Sequence, residues 1–280
     1  MYMLPHKTTA AIAALLLSIF PGPTTPSLAT AEAGVIRTVW AGRQSKGFDL
    51  FASRFENGAW SKTDRIVTGP EDDITPAMGV DRAERTWLLW IARDKEGRST
   101  LRYQVRKHDK TILSGVIDSG YEYNYAPSLL IDRDDRAWAA WSSLDDEDED
   151  IFASRFDGKA WSTPVRVNRN DATPDIKPIL ALDADGAVLV SWESLEANDY
   201  ERIQAKWNGS RFGEEQLVQD RDWITRHTRH VNRAAIKLPA VATQFGMAAL
   251  VSPAADGIQS VPLSLLQSIQ QSPIPPGQRQ

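Results

Sequence analysis

The chain has 280 residues and a formal net charge of −5, from 32 Lys and Arg against 37 Asp and Glu. That length holds a large core, a hydrophobic content of 42% excludes bulk disorder, and the acidic balance argues against a sequence-independent nucleic-acid binder, which needs a basic face. With no cysteine, a disulfide framework, a thiolate metal site and a cysteine nucleophile are all excluded.

The first 33 residues read as an export leader. A short polar start ends at Lys7, an apolar run covers Thr8 to Phe20, and Pro21, Gly22, Pro23 and Pro26 break it before the small-residue steps Ala29-Thr30-Ala31 and Ala31-Glu32-Ala33. This is the layout of a signal peptide, and an apolar run of 13 residues falls short of the roughly 20 that span a bilayer. The mature chain is expected to start between Thr30 and Gly34 and to be exported, periplasmic or secreted, with no membrane association after cleavage. A leader retained as an anchor is the alternative.

From residue 34 onward one unit recurs. Trp40, Trp90, Trp141 and Trp192 are spaced by 50, 51 and 51 residues. Eleven residues after each stands an apolar residue, Phe51, Leu101, Phe152 or Ile203, opening a second run, and Phe51–Phe55 and Phe152–Phe156 are identical. Trp60, Lys110, Trp161 and Phe212 follow those runs by five residues, with Lys110 breaking the aromatic type. Pro76, Pro127 and Pro178 recur at 51, each followed five residues later by Asp81, Asp132 or Asp183. Each unit holds four short runs of strand length, rich in β-branched and aromatic residues and separated by turn formers, with no helical periodicity. Four antiparallel strands in about 50 residues is one blade of a β-propeller; a β-solenoid is the alternative. Trp87 and Trp90, like Trp138 and Trp141, are three apart on a strand, so one indole faces each side, as a strand covered on both faces requires.

A fifth, partial copy begins at Pro239 and lacks the Trp. The second strand of the first unit, from Val35, has no Pro…Asp strand before it, so residues 239–243 are expected to complete that blade and close the ring with both termini. The expected organisation is a leader at 1–33, an all-β propeller of four to five blades at 34–265, and a disordered Gln/Pro-rich tail at 266–280. A truncated remnant of a longer propeller is a further alternative.

Ser154-Arg-Phe-Asp-Gly-Lys-Ala-Trp161 resembles the Asp box, the repeat of sialidase-type propellers also called the bacterial neuraminidase repeat. Ser154, Gly158 and Trp161 match that pattern, and the acid stands one place late at Asp157; Ser53 and Trp60 match in the first unit, with Asn57 in the glycine place. The resemblance implies a propeller whose hairpin turns are plugged by an aromatic residue. Sialidases also clamp the substrate carboxylate with three Arg and use an Asp acid/base and a Tyr nucleophile with a Glu partner. Their first Arg lies in an Arg-Ile-Pro signature, whereas the first blade here reads Val35-Ile36-Arg37-Thr38.

Propellers bind ligands on the face formed by the loops between strands 2 and 3 and between blades. On that face the sequence offers Asp72 and Asp73, then Tyr121, Tyr123 and Tyr125, then Asp171 and Asp175, and finally Trp223, Arg226, His227, Arg229 and His230 in the segment 219–238. The three alternating tyrosines point one way in an extended chain and could stack on sugar rings; packing on the neighbouring blade is the alternative. The acidic run Asp145–Asp150 reads as a solvated loop, and Asp183-Ala-Asp185-Gly186 as a hairpin turn rather than a calcium loop. His227 and His230 have no evident third zinc ligand, and the neighbouring Arg226, Arg229 and Arg233 suit an anion. No metal or cofactor is assigned. The expected function is an exported, non-catalytic propeller that binds a glycan or a protein partner; the alternative is a divergent sialidase-like glycoside hydrolase. Oligomeric state is left open.

Overall fold

The computed structural model describes residues 27–29, 36–56, 59–144, 148–196, 199–218, 253–254 and 257–258. All secondary structure among them is strand. The first sheet joins β1 (Ser27–Ala29), β2 (Ile36–Gln44), β3 (Gly47–Glu56) and β4 (Ala59–Trp60), with β5 (Asp64–Val67) also paired to β3. Three four-stranded antiparallel sheets follow in simple up-and-down order. The second holds β6 (Asp72–Val80), β7 (Thr86–Arg93), β8 (Ser99–Lys107) and β9 (Lys110–Ile117). The third holds β10 (Tyr123–Ile131), β11 (Ala137–Leu144), β12 (Glu149–Arg155) and β13 (Val165–Arg166), and the fourth β14 (Asp175–Leu182), β15 (Val188–Glu196), β16 (Asp199–Lys206) and β17 (Gln216–Leu217). A short hairpin, β18 (Pro253–Ala254) with β19 (Gly257–Ile258), stands apart.

First strands of consecutive sheets are neighbours, β6 beside β10 and β10 beside β14, so the sheets stack face to face around an inner rim of first strands. Each junction has its own apolar core. Trp40 and Trp90 lie between the first and second blades, Trp87 and Trp141 between the second and third, Trp138 and Trp192 between the third and fourth. The two tryptophans of β7 and of β11 therefore face opposite neighbours, as the alternation of a strand demands.

The inner strands share one irregularity. In β6, two residues, Thr75 and Pro76, lie opposite the single Trp90; in β10, Ala126 and Pro127 lie opposite Trp141; in β14, Lys177 and Pro178 lie opposite Trp192. Each is a β-bulge whose proline has no N–H to leave unpaired. The residue before each proline is left-handed, with φ of 48° at Thr75, 45° at Ala126 and 54° at Lys177. That conformation is costly for residues with a Cβ, so packing around the indole must hold it in place.

Hairpin ends are built from side-chain caps. Asp81 and Asp132, five residues after the prolines, accept backbone N–H bonds across their turns and an indole N–H from Trp87 (2.7 Å) and Trp138 (2.8 Å). Asp183 caps the next turn through Ala187 N (2.8 Å), and Gly186 takes φ of 87° there, so the Asp183–Gly186 segment is a hairpin. Asp157 accepts from the backbone of Lys159 and Ala160, both at 2.8 Å, and Asn208 does the same for Ser210 and Arg211. The late acid of the Asp-box-like segment is thus the cap of its turn.

Three expectations change. Ser27–Ala29 pairs with Arg37–Val39 as the first strand of the first blade, so that blade does have a first strand, from within the segment read as a leader. Pro26 precedes it at a spacing of 50 from Pro76; the expected pairing of residues 239–243 at this edge lies outside the described residues. In the second blade Trp90 pairs with Arg102, not Leu101, while Trp40, Trp141 and Trp192 pair with Phe51, Phe152 and Ile203. The position of Phe156 and Trp161 is therefore held there by the cross-strand pair Arg106 and Thr111, not by Val105 and Lys110. Finally, the acidic run is not uniformly solvated, because Asp148 and Asp150 are buried.

Trp141 is fully buried and Tyr125 is 41% exposed on the same pair of strands. Trp141→Ala is expected to lower stability by about 3–5 kcal/mol, the range for a large aromatic lost from a packed core, and Tyr125→Ala by less than about 1 kcal/mol. Urea unfolding of both variants measures the difference, and equal losses would contradict this assignment of core and surface.

Candidate functional site

The face bearing the turns between second and third strands and between blades is organised by the bulges. Three residues before each bulge proline stands a buried polar residue, Asp73, Asn124 or Asp175, at a spacing of 51. Each serves the tryptophan of the second strand. Trp90 Nε1 donates to Asp73 Oδ1 at 2.7 Å, and Trp192 Nε1 to Asp175 Oδ1 at 2.9 Å. In the third blade a relay replaces the direct bond: Trp141 Nε1 donates to Ser143 Oγ (2.9 Å), which donates to Asn124 Oδ1 (2.8 Å). Asn124 also receives support from Ser99, whose Oγ accepts from its backbone N at 2.6 Å.

Burial pushes both carboxyls up. Asp73 is raised to about 6 by desolvation, against the opposing indole bond and the charge of Arg102. Asp175 is likewise raised to about 6 by desolvation, against hydrogen bonds from Ser194, Trp192 and Asn168. Asn168 Nδ2 links two acids, donating to Asp150 Oδ1 at 2.7 Å and Asp175 Oδ2 at 2.6 Å, which places those oxygens at most about 5.3 Å apart. Arg166 forms an ion pair with Asp150. Asp175 therefore takes up a proton more easily than an ordinary Asp, beside a second buried acid that is paired with Arg166.

The sequence-derived candidates separate into three groups. Asp73 and Asp175 sit on the inner rim but are buried beneath it. Tyr121 turns away from the other two tyrosines and packs on Phe152, ring centroids 4.9 Å apart, because β10 begins only at Tyr123; the expected triple row is a pair. Tyr123 and Tyr125 remain, on one side of β10, with Tyr123 half-buried. Tyr125 has its phenol pushed up by burial, the nearby Glu149 and Tyr123. Asp72 accepts from Phe48 N at 3.0 Å and pairs with Arg93 at 3.2 Å, tying the first blade to the second. Asp171 is exposed and caps its own turn through Thr173 N. Trp223, Arg226, His227, Arg229 and His230 lie outside the described residues. Among the described residues no three His, Asp or Glu are grouped to hold a metal ion.

Asn124, Ser143, Glu149, Asp150 and Asn168 escaped the sequence reading. The signal for Asn124 was present, since it stands 51 residues from both Asp73 and Asp175. Asp150 was hidden inside an acidic run, where neighbours of one type mask which side chain turns inward.

No protein-family model matches the chain, and no curated protein matches it in sequence. Solved structures do match in shape. A protein of unknown function from Dyadobacter fermentans is 11% identical with a TM-score of 0.57, covering 70% of this chain and 69% of that one. The Hadza microbial sialidase Hz136 is 12% identical with a TM-score of 0.56, covering 71% and 47%. The Penicillium chrysogenum α-L-arabinanase, solved with arabinobiose, is 12% identical with a TM-score of 0.55, covering 72% and 68%. The fold is a β-propeller. The chain matches only about half the length of the sialidase, and identities this low carry the architecture alone.

The raised carboxyls make stability depend on pH. An unfolded Asp titrates near 3.9, so between about pH 4 and pH 6 the folded chain binds more protons than the unfolded one through Asp73 and Asp175. Their contribution is present below that window, falls as pH rises through it, and is constant above. Asp73→Asn, which imitates Asn124, is expected to fold and to remove about half of that decline. Urea midpoints at pH 4, 5, 6 and 7 for both proteins check it; an unchanged profile would show that Asp73 does not titrate there.

Proposed function

We propose that the protein is an exported propeller that binds glycan on its loop face. The reading is carried by Tyr125, exposed on an inner strand beside Tyr123 and Glu149. A phenol ring covers the apolar face of a sugar while its hydroxyl and a neighbouring carboxylate bond to sugar hydroxyls. Across the fourth blade, Lys177 lies 6.0 Å over the ring of Tyr200, which is half exposed, adding a second aromatic to the same face. The buried acids, in contrast, already accept indole, amide and hydroxyl bonds, which suits them to holding the rim rather than to turnover. The resemblance to the sialidase and the arabinanase in shape supports a carbohydrate rather than a protein ligand.

A second reading, a divergent glycoside hydrolase, is favoured by one observation. The Asn168-bridged oxygens of Asp150 and Asp175 lie no more than about 5.3 Å apart, which allows the close approach of roughly 5–5.5 Å or less that retaining glycosidases use, with the raised acid on Asp175.

Screening the exported protein on a glycan array, then titrating the best ligand calorimetrically, tests the first reading. Tyr125→Ala is expected to weaken binding about tenfold or more, the loss of one stacked ring with its hydrogen bond, and turnover of fluorogenic sialosides and arabinosides is expected to stay at background. Robust turnover abolished by Asp175→Asn would replace binding with the hydrolase reading. N-terminal sequencing of the exported protein is expected to begin between Thr30 and Gly34, which removes the Ser27–Ala29 strand and frees the edge of β2; an intact Met1 would end the leader assignment.

A further inference from the structure

On the opposite face the blade junctions are not alike. At two blade junctions this face is closed by aromatic plugs. Between the second and third blades Trp161 packs on Trp87, Tyr103 and Phe156 with centroids 5.6–6.4 Å apart. Between the third and fourth, Trp138, Trp207 and Phe212 do the same, and Arg155 lies 5.4 Å over Trp138.

Between the first and second blades the corresponding positions are not aromatic. Strand register places Arg37 where the later blades have Trp87 and Trp138, and Arg106 and Thr111 where the third has Phe156 and Trp161. The missing plug leaves a cleft of about 420 Å³. Its floor is apolar, from Val39, Ile66, Met78 and Leu88, and its walls carry Arg54 and Lys62 besides Arg37 and Arg106. Asp64, Glu84 and Asp109 also line it, so cations exceed acids without His108.

One guanidinium in the cleft has an unsatisfied donor, and a second is held without a carboxylate. Arg37 pairs with Glu84 through Nη2 at 3.2 Å, but its buried Nη1 has no hydrogen-bond partner among the described residues. Among the described residues Arg106 bonds to neutral acceptors, Gln104 Oε1 at 3.1 Å, Thr111 Oγ1 at 3.3 Å and the Asp109 carbonyl at 2.6 Å. A buried guanidinium donor left without an acceptor is destabilising, and an oxyanion is the group that satisfies such a donor while also pairing with a second guanidinium that has no carboxylate.

We propose that this cleft binds a sugar-sized organic anion, with its carboxylate, sulfate ester or phosphate ester on Arg37 and Arg106 and its C–H face on Ile66, a partly exposed apolar residue of the lining. The site is independent of the loop face and stands whether or not that face binds glycan.

Calorimetric titration of the exported protein with glucuronate, glucose 6-sulfate and glucose 6-phosphate separates the three anionic groups, with glucose and inorganic sulfate as controls. At least one of the three is expected to bind saturably and more tightly than either control. Arg106→Gln is expected to weaken that binding about tenfold or more. The double variant Arg106→Phe, Thr111→Trp, which restores the plug of the third blade, is expected to abolish it; near-UV circular dichroism confirms that each variant is folded. No saturable binding by any of the three, equal binding of inorganic sulfate, or binding unchanged by a folded variant would overturn the proposal.

Discussion

One contact organises every complete blade: a buried tryptophan opposite a proline bulge on the innermost strand. The bulge sets two inner-strand residues against the indole, where Trp87 and Trp138 on the other face of their strands meet one each. Proline suits that place because it has no N–H to orphan. The cost is a left-handed Thr, Ala or Lys just before it, and the burial of an aromatic ring on both sides offsets that strain. The indole N–H must then find an acceptor, since a buried donor left unpaired is costly. Asp73, Asp175 and the Ser143–Asn124 relay supply it. The raised carboxyls of the loop face are therefore a consequence of folding before they are anything else.

Much of this was legible before the structure. The 51-residue spacing of Trp, Pro and Asp announced identical blades, and the three-residue spacing of Trp87 and Trp90 announced burial on both faces. What was not legible was the reach of each polar side chain. Asp73 and Asp175 read as loop residues and ligand candidates by sequence, yet they stand on the inner strands and are buried there. Tyr121 likewise belongs to the turn before β10 rather than to the strand, so alternation does not govern it. The long segment 219–238 shows no repeat spacing from which a partner could have been inferred.

The largest misreading came from a single residue. Eleven residues separate Trp40 from Phe51, Trp141 from Phe152 and Trp192 from Ile203, and Leu101 stands at the same distance from Trp90. It is apolar, so it fitted. The turn of the second blade is longer by one, however, and the partner of Trp90 is Arg102. In a strand a slip of one residue exchanges the two faces. It moved Val105, a buried core residue, into the plug position and moved Arg106 out of it. The loss of an aromatic plug at the first junction became visible only when the pairing was known.

That loss is not isolated. The first blade departs from the repeat at both ends of its junction with the second. Arg37 replaces the tryptophan at one end, and at the other the indole of the buried Trp40 has no hydrogen-bond partner among the described residues, where Trp90 and Trp192 have an acid. In a ring of equivalent blades each position is constrained by the same packing demand, so a substitution that opens a cavity or orphans a donor lowers stability unless something else is gained. The second and third junctions retain the aromatic contacts the repeat calls for. The first gives them up and collects cations around an apolar floor instead. Arg37 and Arg106 line one cleft, and Arg37 Nη1 is buried without a partner among the described residues; that is the pattern expected where an oxyanion completes the packing that the aromatic ring supplies elsewhere.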